Sequence, residues 1–119
     1  MRYLKAMPVI CCFLLLGGCA STYSDTKSNA PRVYSSKLEL SIAAKCVLRN
    51  IDERHPEIIA SVTPEAPRPN VLEIRGRSTV GFAAIIEIEA SADGSNITTW
   101  ISNHYPGKGS VTDRITKGC

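Results

Sequence analysis

His55-Pro56-Glu57 sets an imidazole two residues before a carboxylate, the H-x-E fragment around which zinc deaminases build their site. That chemistry also needs a following P-C-x-x-C, and none follows. With only two histidines, His55 and His104, the chain has no third imidazole to complete a usual zinc site. His55 therefore reads as a solvated residue at a helix end and His104 as a surface or capping residue. Glu87 and Glu89 stand two apart and share a strand face. Paired carboxylates hydrolyse glycosides when a cleft raises the pKa of one of them. Arg75 and Arg77 on a neighbouring strand supply the preferred reading, a solvated ladder of opposite charges. Gly107-Lys108-Gly109-Ser110 lacks the G-x-x-x-x-G-K-[ST] spacing that cradles phosphate and reads as a turn. The sequence predicts no catalytic residue, no metal ligand and no cofactor.

Trp100 is the single tryptophan, and the alternation of its strand puts it on the polar sheet face beside Glu87, near Arg75 and Arg77. Tryptophan and arginine are enriched at binding hot spots. Trp100, Arg75, Arg77 and Glu87 are therefore the expected interaction face. The alternative is that Trp100 packs beneath the proline-rich loop carrying Pro64, Pro67 and Pro69.

The elements that must position these residues follow from periodicity. From Lys37 to about Ile51, Leu40, Ala44, Val47 and Ile51 share one helical face, flanked by Leu38, Ile42 and Cys46. Ser36 three residues before Glu39 predicts the cap, and Pro56 predicts a stop by His55. Extended runs follow at Glu57–Pro64, Val71–Ser78, Gly81–Ser91 and Asn96–Tyr105. Asp93-Gly94 predicts a two-residue hairpin turn pairing Ala90 with Ile97, Ile88 with Thr99, Ile86 with Ile101 and Phe82 with Tyr105. The other face then pairs Glu89 with Thr98 and Glu87 with Trp100. Ser110 three before Asp113 predicts a second cap, and Val111, Ile115 and Cys119 recur every four residues along a short terminal helix. The expected fold class is α+β in two layers: an N-terminal helix, a four-stranded antiparallel meander sheet and a short C-terminal helix, both helices on the apolar face.

The first residues have a different character. Arg2 and Lys5 precede an apolar run from Ala6 to Leu16, interrupted by Pro8. Spanning a bilayer takes about 20 apolar residues, so the run has the length of an export signal core. It ends in Leu16-Gly17-Gly18-Cys19, which resembles the lipobox of bacterial lipoproteins: an aliphatic residue, two small residues and the cysteine that is acylated. The resemblance implies a signal peptide over 1–18, a lipid on Cys19 and a membrane partner through that lipid. Ala20 stands where an aspartate commonly marks inner-membrane retention, so it also implies the outer membrane. The polar stretch 19–36 is then expected to be a lipidated end with a flexible tether, and 37–119 the folded domain.

Given that resemblance, Cys11 and Cys12 leave with the signal and Cys19 carries lipid, so Cys46 and Cys119 remain. In an oxidising compartment they are expected to form a disulfide, the alternative being two buried thiols. The net charge of +3 falls to about +1 when Arg2 and Lys5 are removed, too weak to suggest nucleic acid. The lipobox, the polar stretch, the helix with Ala43-Ala44-Lys45-Cys46, the meander and the terminal cysteine together resemble small lipoproteins of Gram-negative bacteria. That resemblance implies an architecture but no activity. The expected function is a non-enzymatic envelope interaction module, periplasm-facing, with an envelope protein or peptidoglycan as partner. The alternatives are a small cell-wall-active hydrolase using Glu87 or Glu89, and a displayed binder or inhibitor of host proteins.

Overall fold

Ile86 and Ile88 on one strand, with Ile97 and Ile101 on the next, alternate with polar residues and so give the sheet one dry face, on which the two longer helices rest. The computed structural model describes residues 20–119, so the expected signal over 1–18 and Cys19 lie outside the described residues. In chain order the elements are α1 (Tyr23–Lys27), β1 (Arg32–Ser36), α2 (Leu40–Arg54), β2 (Ile59–Val62), β3 (Val71–Ser78), β4 (Gly81–Ser91), β5 (Gly94–Ile101) and α3 (Lys108–Ile115). The strands form one antiparallel sheet of five in the order β1-β5-β4-β3-β2. The class is α+β.

The sheet departs from the expected four strands, because β1 adds to the free edge of β5 with Val33 opposite Thr98 and Ser35 opposite Asn96. Four of its five side chains are exposed, so its place in the sheet rests on backbone hydrogen bonds, and no apolar alternation marks it. A third helix, α1, lies on the face opposite α2 and α3. Thr22 caps it: its Oγ1 accepts the Asp25 amide at 3.1 Å while Asp25 accepts the Thr22 amide at 3.1 Å. The expected flexible tether over 19–36 is thus corrected: from Ser21 to Ser36 the chain is helix, strand and their connections. Ser21 itself is buried, with its amide on the Val80 carbonyl at 2.7 Å and its carbonyl accepting the Phe82 amide at 3.0 Å. A Cβ on Gly81, at φ +92°, would sit 2.2 Å from that Ser21 carbonyl oxygen. Only glycine accommodates so close an approach in that conformation.

Two expected helix caps are also corrected. Helix α2 begins after Glu39 with no side-chain cap; Ser36 Oγ instead accepts the Leu38 amide at 3.1 Å and donates to the Cys119 carbonyl. Helix α3 begins after Gly107, in the left-handed region, so Ser110 lies inside its first turn. Ala43, Ala44, Cys46, Val47, Asn50 and Ile51 form the buried stripe of α2, while Ile42 is exposed.

The hairpin turn sits one residue earlier than expected. Ser91 pairs with Gly94, so Ala92-Asp93 form the loop and Ile88 meets Ile97, Ile86 meets Thr99 and Ile85 meets Trp100. Moving a turn by one residue shifts each pairing by two and leaves the side chains from Ile85 to Ala90 on their expected faces. Phe82 is corrected: β5 ends at Ile101, so Tyr105 does not pair with it, and the irregularity at Gly76/Arg77 sets Phe82 opposite Arg77 on the other face. Gly94 cannot be inside the loop because its backbone passes against Ser36, whose carbonyl oxygen would be 2.2 Å from a Cβ there.

Candidate interaction face

The face of the sheet turned away from α2 and α3 carries Glu73 and Arg75 from β3, Phe82, Ile85 and Glu87 from β4, and Thr98 and Trp100 from β5. Pairing brings Glu73 directly opposite Glu87. Both are buried, at 2% and 7% exposure, and two like charges at one rung repel unless cations answer them. Helix α1 and the proline-rich loop supply the answer. Tyr23 donates its hydroxyl to Glu73 Oε2 at 2.6 Å, and Arg75 Nε donates to Glu73 Oε1 at 2.7 Å with Thr63 Oγ1 beside it at 3.2 Å. Lys27 pairs with Glu87 Oε2, and Arg68 reaches Glu87 Oε1 at 3.3 Å and Glu89 at 3.5 Å.

These contacts set the titration of the cluster. Burial pushes the Glu73 carboxyl up, but hydrogen bonds from Tyr23, Arg75 and Thr63 outweigh it and hold the group below the usual carboxylate range. Burial, followed by the hydrogen bond to Glu73, raises the Tyr23 hydroxyl to about 12. The Arg75 guanidinium is held up chiefly by its bond to Glu73. Cation–aromatic contacts complete the layer: Lys27 Nζ lies 3.9 Å from the Trp100 ring centroid, Arg75 stacks over Tyr23 at 4.5 Å and Arg77 over Phe82 at 4.3 Å.

The four residues expected to form an open interaction face are therefore brought to one face but used differently. Glu87 and Arg75 are engaged with Lys27, Arg68, Glu73 and Tyr23, and Trp100 is half-buried beneath Lys27, not under the proline-rich loop. Arg77 is exposed and has no carboxylate within ion-pair distance among the described residues. Glu87 and Glu89 do not form the acid–base pair the hydrolase reading needs, because both oxygens of Glu87 are held by cations. Glu73, Tyr23 and Lys27 were invisible to sequence reasoning; Glu73 becomes evident only once the β3–β4 register is known.

His55 is corrected as well. It is buried at 5% exposure, not solvated. Arg114 Nε donates to His55 Nε2 at 3.0 Å, so that nitrogen bears the lone pair and Nδ1 bears the proton. Nδ1 then donates to the Tyr105 hydroxyl at 3.1 Å, and Tyr105 donates onward to Glu57. Burial first, and Arg114 second, hold His55 below its ordinary pKa against the opposing pull of Glu57. With both ring nitrogens occupied, His55 ties α2 to α3 and offers no free base. His104 is exposed.

Cys46 on α2 and Cys119 after α3 meet with their sulfurs 2.15 Å apart and Cα atoms 5.8 Å apart, a disulfide across 73 positions. Asn50 supports the same corner, its amide donating to the Ile115 carbonyl at 3.0 Å and the Lys117 carbonyl at 2.8 Å. No cluster of three or more histidine, cysteine, aspartate or glutamate side chains with metal-binding geometry occurs among the described residues.

No known protein family, curated protein or solved structure matches the chain. Its class is defined by the fold: an α+β domain whose five-stranded sheet is covered on one face by α2 and α3 and on the other, in part, by α1.

Proposed function

We propose that this protein is a lipid-anchored envelope protein, held in the outer membrane through Cys19, whose domain is a non-enzymatic module that binds another envelope component. One observation carries the reading. Ser21, two residues after the lipobox cysteine, is already buried and hydrogen-bonded to Val80 and Phe82. The described contacts thus begin two residues after Cys19, and a chain processed before Cys19 would keep all of them. Two acyl chains hold such a domain durably, where one would not.

The partner-facing surface in this reading is the β1 edge. β1 has β5 on one side only, and Val33 and Tyr34 are exposed at 68% and 40%. A free edge with apolar side chains accepts an added strand from an envelope protein. The outer sheet face, engaged by α1, is the poorer surface. Photocrosslinking in cells tests this, with a photoreactive residue replacing Tyr34 in one variant and Trp100 in another. A dominant protein adduct from position 34 and none from 100 supports the edge. The reverse pattern sends the partner to the sheet face. A Cys19→Ser variant should leave the membrane fraction; one that stays there contradicts the anchor.

A further inference from the structure

The turn Ser78–Gly81 joining β3 and β4 is the point to which Ser21 is bonded, through the Val80 carbonyl on one side and the Phe82 amide on the other. Two clefts flank that turn. One, of about 490 Å³, is lined by Ile59, Val62, Arg77 and Phe82 among others, with Arg75, bonded to Glu73, also on its wall. The second, of about 350 Å³, is lined by His55, Glu57, Thr79, Val80, Tyr105 and Arg114 among others. Each cleft holds a guanidinium with no carboxylate within ion-pair distance among the described residues. Arg77 lies over Phe82 at 4.3 Å. Arg114 is half-buried and spends Nε on His55 and Nη1 on Ser110. Glu57, the one carboxylate at the second cleft, accepts from Tyr105 and lies beside His55. Beside Arg77, Ile59 is 74% exposed, the most exposed large apolar side chain of the domain.

We infer that this pole rests on the bilayer and that Arg77 and Arg114 each receive the phosphate of an anionic phospholipid headgroup, with Ile59 and Phe82 seated at the headgroup level. The inference rests on the reading that Cys19 carries lipid. Consecutive Cα atoms are about 3.8 Å apart, so two residues give Ser21 a leash of roughly 8 Å from Cys19. The headgroup layer on each side of the hydrocarbon is about 5–8 Å deep. The leash is about as long as that layer is deep, so a domain tied at Ser21 keeps the Ser78–Gly81 turn, to which Ser21 is bonded, at or within a few ångström of the headgroups. Guanidinium groups match phosphate in a bidentate geometry, and a guanidinium with apolar neighbours beside it suits the boundary between headgroup and acyl chain. The β4–β5 turn at Ala92-Asp93 lies at the far end of the eleven-residue strand β4, about 35 Å away, and faces the aqueous compartment.

The test uses the full acylated chain in vesicles of phosphatidylethanolamine and phosphatidylglycerol, with a photoreactive residue replacing Thr79 in one sample and Asp93 in another. Phospholipid adducts are expected at least tenfold more often from position 79 than from 93, and several-fold fewer after Arg77→Glu. Arg77 is exposed and makes no ion pair, so that variant keeps the fold, which circular dichroism checks. Equal adduct yields at 79 and 93, no adduct at 79 from an acylated sample, or a protein adduct from position 79 in intact cells overturns the inference. The mass of the N-terminal fragment separates the two readings. An unacylated Cys19 with lipid adducts at 79 defeats the anchor and keeps the headgroup site; an acylated Cys19 without them does the opposite.

Discussion

Tyr23→Phe removes one oxygen from a segment that a polar tether would leave in solvent, and the structure gives it a definite cost. The Tyr23 hydroxyl is the hydrogen bond to Glu73 Oε2, at 2.6 Å; the other two donors, Arg75 and Thr63, both serve Oε1. Glu73 is 2% exposed, so water cannot replace the lost donor. Leaving a buried carboxylate oxygen without a partner costs about 2–3 kcal/mol, the upper range for a bond to a charged group. For a domain of this size that lowers Tm by roughly 10–20 °C. The sign of the pH dependence follows from Glu73. Its folded pKa lies below the unfolded value of 4.5, so its stabilisation is complete above that value and is lost as pH falls through the folded pKa. The gap between wild type and variant should therefore be constant at neutral pH and narrow on acidification below about 4.5. Urea unfolding followed by circular dichroism from pH 3.5 to 7.5 measures both. A neutral-pH difference under about 0.5 kcal/mol would show that α1 is not docked on Glu73, and the account of that face would fall.

Three further perturbations address the rest of the fold. Replacing Cys46 and Cys119 together by alanine should lower stability by about 4 kcal/mol, read from urea midpoints, because the 73-position loop is no longer closed in the unfolded chain. His55→Gln removes a group whose folded pKa is depressed by burial; wild type should lose stability as pH falls below about 6.5 and the variant should lack that component of the slope. Gly81→Ala places a Cβ against the Ser21 carbonyl at a positive φ, so it should cost about 1–3 kcal/mol and speed exchange of the Ser21 and Phe82 amides, which hydrogen exchange by mass spectrometry reads directly.

The parts of the fold written as side-chain periodicity were legible. The α2 stripe and the β3 and β4 boundaries follow from spacing alone, since burial of those side chains is what holds them. β1 was not, because Arg32–Ser36 joins the sheet through its backbone while its side chains stay in water. The α1 cap was in plain sight as Thr22 and Asp25, but a five-residue helix has too few positions to show a periodic face. The hairpin turn slipped because Asp-Gly is a strong local signal, and the contact of Gly94 with Ser36 that overrides it comes from a residue 58 positions earlier. The same long-range docking explains the outer face. Trp100, Arg75 and Glu87 were placed on the correct side of the sheet, while the residues that engage them, Tyr23 and Lys27, lie in the stretch read as tether. His55 was misjudged because its partners Tyr105 and Arg114 are 50 and 59 positions away.

In the proposed reading the domain is packed from Ser21 onward, two residues after a lipid-bearing Cys19. Hydrogen-exchange mass spectrometry on the protein extracted from its own membrane tests both halves in one N-terminal fragment. The expected result is a fragment starting at Cys19 with added acyl mass and slow exchange at the Ser21, Thr26 and Ser28 amides, all of which are hydrogen-bonded to backbone carbonyls. A fragment without acyl mass, or amides exchanging at the rate of an unstructured chain, would contradict it.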